Sequence, residues 1–415
     1  MRRVNLLLSL VFFCLAAALP ARAQIAPVIM QAPLGVAAGA TQPPGSQPPA
    51  VRQIIPGQNA APAPGAAPTV TLGPLKLDAT VTPLGGALKN LEVWSAYKAR
   101  FITDRGRVVD TANGMISHSE GQGYAMLLAV AAKDRNAFER IWGWTRANLL
   151  VRDDQLLAWR WEPNTRPGVA DMNNATDGDI LVAWALVEAG DLWNDTSYRI
   201  AARRIAVEVG RKTIINKTKF GSLMLPAVSG FSAEDRPDGP VVNLSYWVFP
   251  AFARLSLVAP EIDWSGISQT GLDLVKASRF GSAGLPTEWI SAKNGTVRPA
   301  DNFQQVFSYN AIRIPLYMAW AGIGERDHYV SFASLWGGSS TVQMASIDTA
   351  TGRKGALMSE SGYTAVALLT MCAVTGSQLP RDFRSPRATE NYYPATLHLM
   401  ALIAAEMRYS SCLRG

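Results

Sequence analysis

Apolar residues recur at three- and four-residue intervals along most of the chain beyond residue 90. This spacing places them on one side of successive α-helices, and the period-two alternation of strands is sparse. The pattern predicts a first amphipathic segment that begins near Leu91–Trp94. It predicts further helices over residues 122–134, 136–149, 179–190, 197–213, 244–257, 268–279, 308–321, 326–337, 361–375 and 393–408.

Three long loops, residues 151–176, 214–243 and 281–307, interrupt the helical pattern and are rich in Gly, Pro, Asn and Asp. They are longer than a simple helix connection needs. Loops carried on a rigid scaffold are frequent sites of binding and catalysis. The sequence therefore predicts an all-α domain with functional residues on its loops.

The N-terminal part of the chain has a different composition. Met1-Arg2-Arg3, the apolar run Leu6–Leu19 and Ala21-Arg22-Ala23 predict a signal peptide, residues 1–23, cleaved after Ala23; an uncleaved anchor is the alternative. Residues 24–85 lack aromatics and are rich in Pro, Ala, Gly and Gln, so they are predicted to be a disordered or extended spacer. Residues 86–415 remain as one folded domain without a further membrane span.

Charge and cysteine content exclude several functions. The net charge of +7 is spread over 415 residues without a Lys/Arg run, so nucleic acid is not an expected partner. After signal cleavage the cysteines are Cys372 and Cys412; an oxidising compartment permits a bridge between them, and a free core cysteine is the alternative for Cys372. Neither they nor the three scattered histidines have metal-ligand spacing, so we expect no metal and no cofactor.

A polar segment from Ser117 to Met126 leads into the helix predicted over 122–134 and contains Glu120. A carboxylate at this place is often only a helix cap. Gly121 and Gly123 favour a functional interpretation, because glycine lets a backbone or a ligand approach closely.

Asp177 and Asp179 lie in a second polar segment, which follows Asn173-Asn174 and leads into the helix predicted over 179–190. A helix cap for one of them and a calcium site for both are the alternatives to chemistry.

The third segment, Phe307–Leu316, contains Arg313 near a predicted helix start. A cation there opposes the helix dipole, which indicates a specific anionic or hydroxyl partner, with an exposed arginine as the alternative.

Tryptophans are abundant, twelve in all. Those in or beside polar loops, near the carboxylates, suggest a carbohydrate site because sugar faces stack on indoles, although core packing is the alternative for each one. These are Trp94, Trp159, Trp161, Trp247 and Trp289. Those within periodic helices are expected in the core, namely Trp142, Trp144, Trp184, Trp193 and Trp320.

The segments Ser-Glu-Gly-Gln-Gly-Tyr-Ala-Met, Ala-Thr-Asp-Gly-Asp and Tyr-Asn-Ala-Ile-Arg-Ile-Pro resemble three landmarks of glycoside hydrolase family 8. They occur in the order of the family, and the resemblance covers about residues 90 to 405. It implies an (α/α)6 barrel and an inverting hydrolase. Trp142–Leu149 looks most like the periplasmic cellulases of bacterial cellulose synthesis operons.

The resemblance also implies roles for individual residues. Glu120 would be the general acid that protonates the departing glycosidic oxygen, and Asp177 would position the distorted sugar. Arg313 would support this acidic centre. The expected substrate-binding residues are Trp159, Trp161, Tyr246, Tyr309 and Arg313.

Asn310 departs from the family pattern, which has the aspartate of Tyr-Asp-Ala as catalytic base. A carboxamide does not accept a proton from water at neutral pH, so Asn310 itself is not a base. The carboxylates that remain candidates for this role are Asp177, Asp235, Asp238, Asp301 and Glu360.

The expected function is endo-acting hydrolysis of β-1,4-glucan, in the periplasm or secreted, with glucan and the cellulose synthesis machinery as partners. One alternative is a catalytically weak or silent glucan-binding protein, motivated by Asn310. Another is a hydrolase of xylan, chitosan or mixed-linkage glucan.

Overall fold

The computed structural model describes residues 83–337 and 343–414, so the predicted signal peptide and nearly all of the predicted spacer lie outside the described residues. At the start of the described region, Leu84 is buried and its N–H donates to Glu188. The helices in this region are α1 Leu91–Phe101, α2 Ser119–Ala131, α3 Arg135–Asn148, α4 Thr176–Leu192, α5 Thr196–Lys212, α6 Phe249–Leu255, α7 Trp264–Ala277, α8 Arg313–Ala321, α9 Arg326–Trp336, α10 Ser361–Thr375 and α11 Tyr392–Arg408.

The helical periodicity is confirmed, because each predicted range overlaps one of these helices. In two of the ranges the α-helix begins five residues later than predicted. The prediction over 244–257 is a 3-10 helix, Leu244–Tyr246, followed by α6, which begins at Phe249 with Pro250 in its first turn. Proline fits there because its missing N–H would have no partner in the helix anyway. In the range 308–321 the helix begins at Arg313, after a turn in which the N–H of Asn310 donates to Glu288.

Six helices form a closed ring, in which α2 packs on α4, α4 on α6, α6 on α8, α8 on α10, α10 on α11 and α11 on α2. Helices α2, α4 and α8 are buried on nearly all sides, which explains why they are apolar around their whole circumference. Helices α3, α5, α7 and α9 pack outside the ring and keep a polar face. Between α10 and α11 the chain forms a short 3-10 helix, Arg381–Arg384.

Strands in the described part of the chain are two to five residues long. They form four small antiparallel sheets in the loops. Their bounds are β1 Ser117–His118, β2 Arg160–Trp161, β3 Ile214–Thr218, β4 Gly221–Met224, β5 Val241–Val242, β6 Ile290–Ser291, β7 Arg298–Pro299, β8 Val306–Phe307, β9 Ala345–Asp348 and β10 Lys354–Leu357.

The tryptophans divide differently from the prediction. Trp94, Trp247 and Trp289 are buried, and the indole N–H of Trp247 donates to the carbonyl of Ile267, so the core-packing alternative holds for these three. Trp184 and Trp320 are core residues as predicted, with ring centroids 5.0 Å apart. Trp142 is also buried, whereas Trp144 and Trp193 are only half-buried.

Cys372 and Cys412 form a disulfide, which settles the alternative left open by the sequence. The bridge joins α10 to the 3-10 helix that follows α11. None of the helices between residues 83 and 414 that the structure describes combines the length and apolarity that crossing a membrane requires.

Candidate active site

Three ring helices begin at the same place and bring Glu120, Asp177 and Arg313 together. Glu120 is in the first turn of α2, Asp177 is in the first turn of α4, and Arg313 is the first residue of α8. Arg313 Nη1 lies 2.7 Å from Glu120 Oε1 and 2.9 Å from Asp177 Oδ2. All three side chains are at most 2% exposed, so they form a desolvated, charged centre.

The guanidinium of Arg313 also binds neutral groups around the two acids. Nη1 donates to the hydroxyl of Tyr124, and Nη2 donates to Ser245 Oγ and Asn310 Oδ1, both at 2.9 Å. Such a set of fixed partners explains why an arginine is found at a helix start, where the dipole disfavours it. The prediction of a specific anionic partner for Arg313 is confirmed.

The first turn of α2 does not use Glu120 as its cap. Nδ1 of His118 accepts the N–H of Gly121, while His118 Nε2 lies 3.6 Å from Asp110 Oδ2. Although burial opposes the charged imidazolium, the hydrogen bond to Asp110 and the negative charges nearby raise the pKa of His118. The Glu120 carboxyl is therefore free to face Arg313.

The glycines beside the acids serve close packing of the helix starts. A Cβ on Gly123 would lie 2.6 Å from the Cβ of Leu181 on α4. A Cβ on Gly178 would lie 2.1 Å from Ser119 Oγ and 2.8 Å from the backbone nitrogen of Glu120. These glycines let α2 and α4 approach closely enough for both acids to contact one guanidinium.

The two aspartates of the second segment have separate environments. Asp177 Oδ1 accepts the N–H of Gly178, and burial, followed by the charge of Glu120, raises the pKa of Asp177 to about 7. Asp179 accepts the N–H of Leu157 and the side-chain amide of Asn174, and burial raises its pKa to about 7 as well. Asp179 thus ties the 151–176 loop to α4.

The predicted substrate-binding aromatics differ in their burial and in their contacts. The ring of Tyr246 is buried, 5.8 Å from Arg313 Cζ. Trp159 is 6% exposed, and its indole N–H donates to Asp171. Trp161 is partly exposed on β2, which pairs with β1 just before Glu120. Tyr309 is also partly exposed and packs edge-on against Tyr363.

Asn310 brings in a carboxylate that the sequence analysis missed. Glu288 Oε1 accepts the backbone N–H of Asn310 at 2.9 Å, and Oε2 accepts its side-chain amide N–H at 3.0 Å. Burial raises the pKa of Glu288. The available signal was its place in the 281–307 loop, directly before one of the tryptophans that lie beside polar loops.

In the described portions of the chain, no group of three or more His, Cys, Asp or Glu side chains is arranged to hold a metal ion.

Comparison with known proteins gives the family of the chain. The family model described as "Glycosyl hydrolases family 8" matches residues 77–407. A probable endoglucanase of Novacetimonas hansenii is 35% identical over 314 residues, covering 75% of this chain and 89% of that protein. An endoglucanase of Cellulomonas uda is 40% identical over 229 residues, covering 55% of this chain and 62% of that protein.

Solved structures give the same result for the fold. A family 8 endo-β-1,4-glucanase from an Achatina fulica gut metagenomic library has a TM-score of 0.70 at 36% identity, covering 76% of this chain and 98% of that one. The endo-β-1,4-glucanase CMCax from Acetobacter xylinum has a TM-score of 0.70 at 33% identity, covering 80% and 100%. The predicted (α/α)6 barrel is thereby confirmed, and the chain belongs to glycosyl hydrolases family 8 as an enzyme of the endoglucanase class.

Proposed function

We propose that this enzyme hydrolyses internal β-1,4 bonds of glucan with inversion at the anomeric carbon, and that Glu120 is the general acid. The observation that carries the proposal is the buried contact of Glu120 and Asp177 with the same nitrogen of Arg313. Burial and a neighbouring negative charge each help an acid to keep its proton near neutral pH.

The charge balance of the centre supports retention of one proton. Two ionised carboxylates against one guanidinium would leave a net negative charge in a site that water hardly reaches. Because burial and the neighbouring acid raise the pKa of Asp177 to about 7, the pair keeps a proton until roughly neutral pH. Substrate binding would place that proton on Glu120, beside the departing oxygen.

Asp177 is better suited to hold the sugar than to activate water. Since Glu120 Oε1 and Asp177 Oδ2 lie 2.7 and 2.9 Å from one nitrogen, they are no more than 5.6 Å apart. Inverting enzymes separate their two carboxyl groups by roughly 6.5–9.5 Å to admit a water molecule. The guanidinium of Arg313 also contacts both carboxyl groups. We therefore infer that Asp177 holds the sugar on the same side of the glycosidic bond as Glu120.

The aromatic residues supply the apolar surfaces that sugar rings require. We propose Trp161 and Tyr309, which are partly exposed, as stacking residues, with Tyr246 and Trp159 as buried supports of the site. The relatives named as endo-β-1,4-glucanases favour glucan as the polymer. A panel of carboxymethylcellulose, xylan, chitosan and mixed-linkage glucan tests this choice.

We further propose that the enzyme trims glucan during cellulose synthesis in the periplasm. The signal-peptide pattern of residues 1–23 and the resemblance of Trp142–Leu149 to periplasmic cellulases support this setting. Deleting the gene in its host should change the amount or the order of the cellulose produced. Unchanged cellulose in the deletion strain would contradict this role while leaving the enzymatic activity in place.

The central experiment replaces Glu120 by Gln and measures reducing ends released from carboxymethylcellulose. We expect a loss of about 1,000-fold, because a carboxamide cannot donate the proton that the leaving oxygen needs. The loss should be much smaller on dinitrophenyl β-cellobioside, whose leaving group needs no protonation. Glu139→Gln, an exposed change on α3, is the control and should leave activity unchanged. A Glu120→Gln enzyme with near-normal activity on the polymer would refute the assignment.

The stereochemistry is tested separately, by proton NMR of the first products of cello-oligosaccharide hydrolysis. Inversion releases the α-anomer first. A β-anomer would instead indicate a covalent intermediate, with Asp177 as the nucleophile. Purified protein that binds cello-oligosaccharides and never shortens them would favour the glucan-binding alternative.

A further inference from the structure

An inverting hydrolysis needs a second carboxylate to activate water, and the residue at position 310 does not provide one. Asn310 nevertheless lies inside the site, since its Oδ1 accepts from Arg313 Nη2 at 2.9 Å. Its amide nitrogen points the other way and donates to Glu288 Oε2. Asn310 therefore links the acidic centre to a further acid.

Glu288 is held in this position by hydrogen bonds to its backbone and to its carboxylate. Its backbone N–H donates to the carbonyl of Val306, on the strand β8 that leads into Asn310. Its two carboxylate oxygens accept the backbone and side-chain N–H groups of Asn310. A carboxylate oxygen can accept more than one hydrogen bond, so each oxygen keeps capacity for a water molecule. The residue is also partly exposed, unlike Glu120 and Asp177.

The other carboxylates considered for this role have structural tasks of their own. Asp235 accepts backbone N–H groups of residues 230–232 and closes a turn. Asp238 and Asp301 are each paired with an arginine of their own loop, Arg236 and Arg298 respectively. Glu360 binds the backbone and the side chain of the residue that precedes α11.

We propose that Glu288 is the general base of the hydrolysis and that Asn310 is the positioning residue that holds it. This inference rests on the proposed function. Glu288 takes a proton from a water molecule as the water oxygen bonds to the anomeric carbon. The bond from that carbon to the glycosidic oxygen breaks, and the leaving oxygen takes the proton of Glu120. Exchange with solvent then returns Glu288 to the carboxylate and Glu120 to the acid.

The surroundings of Glu288 suit a base. Burial raises its pKa, which strengthens it as a proton acceptor as long as it stays ionised. The hydrogen bonds from Asn310 and the charge of Arg313 favour the ionised form. Tyr246 and Tyr309, two tyrosines that also interact with Glu288, have raised pKa values and are neutral at working pH.

The test exchanges the carboxylate and the carboxamide within this hydrogen-bonded pair. Glu288→Gln should lower kcat on cello-oligosaccharides at least 100-fold, with little change in KM. In the double variant that also carries Asn310→Asp, position 310 supplies the carboxylate and position 288 the carboxamide. Its kcat should be tenfold or more above that of Glu288→Gln alone. Asp301→Asn, an exposed acid, is the control and should keep full activity.

A second variant separates chemistry from structural damage. In Glu288→Ala, azide can take the place of the activated water, and α-glycosyl azide should form and be visible by NMR. The inference is overturned if Glu288→Gln keeps more than a third of normal activity while Glu120→Gln is inactive. It is also overturned if folded Glu288 variants are inactive and neither the exchange nor azide restores turnover. Inactivity of the unmodified protein on every polymer would instead refute the proposed function.

Discussion

Replacing Arg313 by Met removes the guanidinium that both buried acids contact. Breaking a buried ion pair by removing one partner costs about 3–5 kcal/mol, because the remaining charge is left desolvated. A folded domain of roughly 330 residues has an unfolding entropy of about 0.7 kcal/mol/K, at about 2.1 cal/mol/K per residue. The melting temperature of Arg313→Met should therefore fall by about 4–7 °C at pH 8.

The same variant should show a characteristic pH dependence. The folded-state pKa of Asp177 is raised to about 7 from an ordinary value near 3.8, so the unfavourable buried charge is present above pH 7 and is lost as the acid is protonated. The difference in melting temperature from the unmodified enzyme should therefore shrink at pH 5.

Thermal unfolding followed by circular dichroism at both pH values measures this effect. Arg211→Met is the matched control, since Arg211 is 72% exposed and its ion pair with Glu208 contributes well under about 1 kcal/mol. A melting temperature for Arg313→Met within 1–2 °C of the unmodified enzyme at pH 8 would refute the reasoning, as would a deficit that is independent of pH.

Three further predictions follow from the same contacts. Asp177→Asn should move the alkaline limb of the kcat/KM profile down by about one pH unit or more, because the negative charge that makes the pair retain its proton is gone; an unmoved limb would contradict the coupling. Gly178→Ala should cost activity and stability together, since the new Cβ would meet Ser119 and the backbone of Glu120, and Gly143→Ala, which has open space, should not. Cys412→Ser should destabilise the fold by about 4 kcal/mol through the loss of a link spanning 40 residues, measured by urea unfolding.

The parts of the molecule that follow local rules were predictable from the sequence. Ring helices such as α2 and α4 are apolar around their circumference. The polar segments that precede them are typical of helix caps or of functional sites. Arg313 was informative because a cation at a helix start opposes the dipole and needs a reason.

The rest depends on contacts between distant parts of the chain. Glu288 and Asn310 are 22 positions apart, and nothing in either local pattern indicates that they pair. Trp247 lies beside a polar segment, yet its ring is enclosed, and its N–H reaches a carbonyl 20 residues away. His118, rather than an acid, caps α2, which only the folded geometry reveals.

The most direct test of the account is a crystal structure of Glu120→Gln with a cello-oligosaccharide bound across the site. The account predicts the substituted carboxamide at position 120 within hydrogen-bond distance of a glycosidic oxygen, Asp177 on the adjoining sugar, and a water molecule between the anomeric carbon and Glu288 on the opposite face. A sugar chain whose glycosidic oxygens all lie beyond reach of residue 120, or a water held by some other carboxylate, would contradict it.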